Sequence, residues 1–190
     1  MKNRHIILAG ALVFAVSIFT GSAHAEDYIC QGSLGAITVD NLRVPQGATC
    51  TLDRTYIKGT IKVKSNATLR AHRVRVIGNI QAENAAQVEV LSGSTVGGNI
   101  QIKQGGRART DGVSIKGDLQ FDDNRRRLTA NRNTIGGNLQ AFQNKGGLSI
   151  TENTIDGNLQ CKENRPAPTG GDNIVRGNKE DQCSDLPREI

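Results

Sequence analysis

The chain has 190 residues, of which 36% are apolar and only 3% aromatic, and its formal net charge is +6. That length suits one domain with one compact core. There is no Trp, and His72 is the sole histidine beyond residue 25, which excludes a paired-histidine metal site and an aromatic-rich sugar or nucleic-acid platform there.

Residues 1–25 carry Lys2 and Arg4, an apolar run Ile6–Thr20 and the end Ala23-His24-Ala25. A basic start, an apolar run and an A-x-A end predict a secretory signal peptide. The run is shorter than the roughly 20 residues of a membrane span. Its removal leaves +4 on residues 26–190, no transmembrane span, and a secreted or periplasmic protein. Residues 26–50 keep an apolar alternation at Ile37, Val39 and Leu42 without a full repeat, and are expected to form an N-terminal cap.

From there to residue 165 one motif recurs: Gly78-Asn79-Ile80-Gln81, Gly98-Asn99-Ile100-Gln101, Gly117-Asp118-Leu119-Gln120, Gly137-Asn138-Leu139-Gln140 and Gly157-Asn158-Leu159-Gln160. Degraded copies stand at Gly59 and Gly177, and the glycines are 19 or 20 residues apart. Apolar residues lie two before the glycine (Val76, Val96, Ile115), two after it and four after it (Ile80 and Ala82, Ile100 and Ile102, Leu119 and Phe121). This period of two reads as a strand with one buried face. A second alternating pair, such as Leu128 with Ala130, precedes it in each repeat, and polar, glycine-containing turns lie between. No segment has a sustained helical period. A repeat of 20 residues cannot bury its own apolar face, whereas stacked coils share one core. The strict six-residue rhythm of a left-handed hexapeptide solenoid is absent. The expected fold is therefore all-β, a right-handed parallel β-helix of about seven coils, with an antiparallel meander or a leucine-rich horseshoe as alternatives. Residues 166–190 supply the last coil and a C-terminal cap: Pro166, Pro168, Gly170 and Gly171 are expected to disrupt the coil, and Lys179 takes an apolar position. Capped ends favour a monomer.

Stacking in register sets equal repeat positions above one another. Asn79, Asn99, Asn138, Asn158 and Asn178, with Asp118, are expected to form one outward ladder, and Gln81, Gln101, Gln120, Gln140 and Gln160 a second. Asn124, Asn144 and Asn164, and likewise Asn133, Asn153 and Asn173, are expected at turns, where asparagine tolerates left-handed backbone. Such ladders hold a solenoid together; alternatively they present an amide face to polysaccharide or ice, although no flat Thr-x-Thr array repeats. Cys30 and Cys50 are 20 residues apart and Cys161 and Cys183 are 22 apart, each about one coil. Neighbouring coils bring α-carbons to about 5 Å, so these two pairings are expected, one staple at each end.

Arg107 and Arg127 share a repeat position, and Arg70 and Arg109 share another on the same outward face, with Arg73, Arg75, Arg125 and Arg126 near. Such a stripe attracts acidic glycans or another envelope component, although Glu89 interrupts it. With no aromatic interleaved, nucleic acid is not expected. Large secreted β-helices such as pectate lyases and polygalacturonases use clustered carboxylates, or Ca²⁺ with an arginine. The nearest counterparts here are Asp118, Asp122 and Asp123 beside Arg125, Arg126 and Arg127. Asp118, however, fills an asparagine ladder position, and no long loops wall a groove. No catalytic residue, metal or cofactor is assigned.

The Gly-Asn-(Ile/Leu)-Gln repeats, the segment Ile100–Gly106 and the tail running from Cys161-Lys162-Glu163-Asn164 through Asn178 to Cys183 resemble a family of small secreted bacterial β-helix proteins of uncharacterised function. The resemblance covers nearly all of the chain after the leader. It implies a bacterial exported β-helix and carries no catalytic residues over. Bactofilin-type polymer-forming proteins are similar in repeat length and solenoid character alone. The expectation is an exported, non-catalytic structural or binding module of the bacterial envelope or exterior; its alternatives are an acidic-polysaccharide binder and, less favoured, a small lyase or hydrolase.

Overall fold

The computed structural model describes residues 27–187, so the expected signal peptide lies outside the described residues. Among these residues there is no helix. Short strands form three all-parallel sheets of nine, eight and eight strands, here sheets I, II and III. Each coil visits them in that order. One coil runs from Ile80–Glu83 in sheet I through Gln87–Leu91 in sheet II to Thr95–Val96 in sheet III. Ile80 then pairs in register with Ile100, and Gln81 with Gln101. Eight coils at about 4.8 Å give a rod of roughly 40 Å.

The inward side chains stack in continuous rows. Leu42, Ile61, Ile80, Ile100, Leu119, Leu139 and Leu159 of sheet I are fully buried, as are Ile57, Ile135 and Ile155 of sheet III. Each such burial contributes about 1.5–3 kcal/mol, but only because coils above and below enclose it.

The apolar positions on both sides of the repeated glycine do not form one strand. Val76 ends the strand Arg75–Val76 of sheet III, and Ile80 begins Ile80–Glu83 of sheet I. The chain turns a corner between them, and Gly-Asn is that corner. Asn99 Oδ1 accepts the Asp118 backbone N–H at 2.8 Å, and Asn79 Oδ1 accepts that of Asn99 at 2.8 Å. Asp118, Asn138 and Asn158 continue the row in the same way, at 2.7–2.9 Å. The acceptor occupies the space above the preceding coil where a side chain would begin. A Cβ added to Gly117 would lie 2.0 Å from Asn99 Oδ1, and one added to Gly98 would lie 2.3 Å from Asn79 Oδ1. Hence the pair repeats as a unit.

Asn124, Asn144 and Asn164, and Asn133, Asn153 and Asn173, lie at corners but point inward and are buried. Asn144 Nδ2 donates to Phe121 O at 3.0 Å and to Asn164 Oδ1 at 2.8 Å, and its Oδ1 accepts from Asn124 N and Nδ2 at 3.0 Å. The left-handed backbone expected of these asparagines belongs instead to the residue before each: Asp123, Gln143 and Glu163 have φ of 48°, 56° and 57°.

Both ends depart from expectation. Asp27–Ile29, Gly32–Leu34 and Thr38–Val39 join the three sheets, so the N-terminal stretch is the first coil. Tyr28, aligned with buried Leu42, covers the end of the core and is 41% exposed. The Pro166–Gly171 segment does not disrupt the last coil, because Thr169–Gly171 pairs in register with Ser149–Thr151. Beyond it Cys183 and Leu186 are buried over the core, and Lys179 Nζ donates to Leu186 O at 3.3 Å. The Cys30–Cys50 and Cys161–Cys183 disulfides have Cα–Cα distances of 5.5 and 5.2 Å. They cross corners: Cys50 aligns with Gly32, and Cys161 with Asp181. Each closes a loop of about 20 residues, worth about 3 kcal/mol in the chain-entropy account.

Two substitutions test this scheme by urea denaturation. Gly117→Ala is expected to cost about 2–3 kcal/mol, whereas Gly35→Ala, with open space around the added methyl, should shift stability by under about 1 kcal/mol. Asn144→Ala strands buried donors of Asn124 and the Phe121 carbonyl, and is expected to cost about 3 kcal/mol or more; half-exposed Gln140→Ala should cost less than about 1 kcal/mol.

Candidate functional site

The outward faces differ. On sheet I the glutamines form a chain of amides: Gln101 Nε2 donates to Gln120 Oε1, Gln120 to Gln140 and Gln140 to Gln160, at 2.8–2.9 Å, and Gln160 to Glu180 Oε2 at 2.7 Å. Gln81 is exposed and stands outside this chain of bonds. Each linked amide spends one N–H on its neighbour and keeps the other for solvent or ligand.

Sheet II carries the arginines. Register places Arg70, Glu89 and Arg109 in one row, so the glutamate lies between the two cations. Arg70 Nε lies 3.3 Å from Glu89 Oε2. Arg109 and Arg132 both bind Asp111, which is 5% exposed, the latter at 2.9 Å. Burial works against the charge on Asp111, but hydrogen bonds from Arg109 and Arg132 outweigh it and hold the carboxyl below its ordinary range. One coil group nearer the N-terminus, Arg73 donates to Asp53 at 2.8 Å, with Arg54 at 3.3 Å and His72 Nδ1 at 3.5 Å. The Arg73 hydrogen bond chiefly lowers the Asp53 carboxyl as well. Arg70, His72, Glu89, Arg109, Asp111 and Arg132 line an open cleft of about 400 Å³.

The four arginines singled out from sequence therefore separate. Arg70 and Arg109 sit mid-sheet in ion pairs. Arg107 and Arg127 lie exposed at the edge where sheet I turns into sheet II, with Arg125 and Arg126, and none of these four has an acidic partner among the described residues. The carboxylates do not converge either. Asp118 accepts the Asn138 N–H in the Gly-Asn corner, Asp122 ends a sheet I strand, and Asp123 pairs with Lys145 at 3.3 Å.

Sheet III holds a feature the sequence reading passed over. Thr95, Ser114, Thr134 and Thr154 are stacked in register on its outer side. The signal was present, since each lies three residues before a repeated glycine. It is one column wide, and the next outward positions are Gly97, Lys116, Gly136 and Asp156. Arg75 in the same row stacks over Tyr56, 5.2 Å from the ring centroid.

Among known proteins, no family model, curated sequence or solved structure matches the chain.

Asp111 yields a pH prediction. Its carboxyl titrates lower folded than unfolded, so its contribution is present above about pH 4 and is lost as pH falls through the folded value. Asp111→Asn is expected to lower stability at pH 7 by about 1–3 kcal/mol and to shrink the further loss between about pH 5 and 3. Urea midpoints measured across that range check it; a variant as acid-sensitive as the parent would remove Asp111 from the account.

Proposed function

We propose that the protein is an exported, non-catalytic β-solenoid serving as a structural or binding module of the bacterial envelope or exterior. The observation that carries this reading is the use of the outward polar side chains. From Gln101 to Glu180 they bond to their own counterparts along the rod, giving a regular surface in place of a converging pocket. Two buried disulfides suit an oxidising compartment, and the basic, apolar and Ala-x-Ala start suits export. The acidic-polysaccharide alternative draws on the exposed arginines. A lyase or hydrolase reading has less support, because Asp118 and Asp123 are occupied in different corners.

Cell fractionation tests this. The protein is expected in the periplasm or medium with both disulfides formed, starting near Glu26, and sedimenting with isolated envelopes or their extracted polymers. A reduced cytoplasmic protein with an intact N-terminus, or release of reducing ends from those polymers, would overturn it.

A further inference from the structure

We propose that the corner joining sheets I and II, from Arg107 to Arg165, is a docking strip for a linear acidic polysaccharide. This rests on the reading of the protein as an exported binding module and names the ligand class and the face that takes it.

The starting observation is the partition of the arginines. Among the described residues, Arg43, Arg54, Arg70, Arg73, Arg109, Arg132 and Arg176 each lie within ion-pair distance of a carboxylate, and Arg75 stacks on Tyr56. The remaining five, Arg107, Arg125, Arg126, Arg127 and Arg165, are all exposed, have no such partner, and all belong to this one corner.

Register makes the five a strip. The Arg125 N–H donates to Gly105 O at 2.9 Å, that of Lys145 to Asn124 O at 2.8 Å and that of Arg165 to Asn144 O at 2.7 Å. Arg125, Lys145 and Arg165 thus stand one above another, about 4.8 Å apart. Ala108 pairs with Leu128, so Arg107 and Arg127, each one residue earlier, form the next column. Between the columns the chain has one residue more than in the preceding coil, and that residue is Arg126. Above it residue 146 has room only for glycine, because a Cβ there would lie 2.1 Å from the Arg126 carbonyl carbon. Gly146 and Gly147 therefore place no side chain of their own over Arg126 and Arg127, and Pro166 Cγ comes next, 3.9 Å from where a Cβ at 147 would lie.

Several rows elsewhere interleave their charges, as in Arg70, Glu89 and Arg109, or Asp156 and Arg176, and where Arg43 stacks on Lys62 the arginine is also paired with Asp27. Stacked like charges repel at strand spacing. Among the described residues one acid, Asp123, forms an ion pair at the strip, with Lys145, while Glu163 beside it accepts from Gln143 at 3.0 Å. A polyanion with charges spaced along a chain neutralises such a row, and guanidinium forks take carboxylate or sulfate in bidentate fashion. Among the described residues the aromatic nearest the strip is Phe142, half-buried at the end of its sheet I strand and aligned with Asp122 and Lys162. A single ring provides neither a run of stacking platforms for bases nor an apolar patch for membrane insertion.

The test measures affinity of the purified protein for polygalacturonate, heparin, neutral dextran, single-stranded DNA and anionic vesicles. The two acidic polysaccharides are expected to bind, neutral dextran not to bind, and affinity to fall at least about ten-fold between roughly 50 and 300 mM salt. Arg107→Gln, Arg126→Gln and Arg127→Gln together should lower affinity at least about ten-fold without lowering the thermal midpoint, since they relieve repulsion. Arg54→Gln, Arg73→Gln and Arg176→Gln together remove the same charge from other faces and should leave binding within about two-fold. Equal losses in both triple variants, or tighter binding to DNA or vesicles, would overturn the proposal. If the protein sediments with envelopes yet binds neither acidic polysaccharide, this strip is refuted and the envelope reading stands; if it does neither, both fail.

Discussion

The structure depends on one constraint: each coil lies a single strand spacing above the last, so every residue meets its own counterpart in the next repeat. At the corner between sheets III and I this leaves no room for both a Cβ and the side-chain acceptor below it. Glycine gives up the space and asparagine fills it with an oxygen that satisfies a backbone N–H otherwise left without a partner. After the first coil, where Val39 to Leu42 is three residues, that corner keeps one length: Ile57 to Ile61, Val76 to Ile80, Ile115 to Leu119 and Ile155 to Leu159 are each four residues. The variation between 19 and 20 residues is taken up at the other two corners, at Ser92–Ser94 between sheets II and III and at Asn124–Arg127 between sheets I and II. The coils with the longer corner between sheets I and II carry buried Asn124, Asn144 and Asn164, where the shorter ones have Ala67, Ala85 and Gly105. A wider turn exposes more backbone donors and acceptors to the interior, and an inward amide satisfies them.

Much of this was legible in the sequence, and the exceptions have physical causes. Periodicity gave the all-β solenoid because inward rows must stay in phase to stack. The same periodicity disguised the corner: its four-residue step is even, so apolar alternation continues across it and reads as one strand. The N-terminal stretch lacks the Gly-Asn signature yet forms a coil, since Asn41 Oδ1 accepts the Thr60 N–H and inward Val39 and Leu42 close the core. The left-handed residues were hidden by their identity. Asp123, Gln143 and Glu163 have no strong preference for that conformation, and the hydrogen bonds on either side impose it; the Asp123 N–H, for example, donates to Phe142 O at 3.0 Å.

The arginine-bearing face was the least legible part, because pairing across a corner does not follow the repeat. Spacing alone put Arg70 and Arg109 on the same footing as Arg107 and Arg127. Arg70 and Arg109 are neutralised by Glu89 and Asp111, and Arg132 reaches the same Asp111 from 21 residues away around a corner. Buried Asp111 needs both its arginines to stay ionised, so the mid-sheet cations are committed to the fold and poorly placed to exchange partners with a ligand.

Stacking in register also decides which surface rows are self-sufficient. A column of glutamines is complementary to itself, since each amide donates to one neighbour and accepts from the other. A column of hydroxyls such as Thr95, Ser114 and Thr134 is tolerated without bonds because each is neutral and solvated. A column of cations is neither, for every coil added places another like charge one strand spacing away. This chain solves that problem with an interposed acid on sheet II and again along sheet III, where Lys58 meets Asp40 and Arg176 meets Asp156. It leaves the column unpaired at the corner holding Arg125, Arg126 and Arg127, where the exposed guanidinium groups are screened by solvent ions alone, the state in which the proposed polyanion would find them.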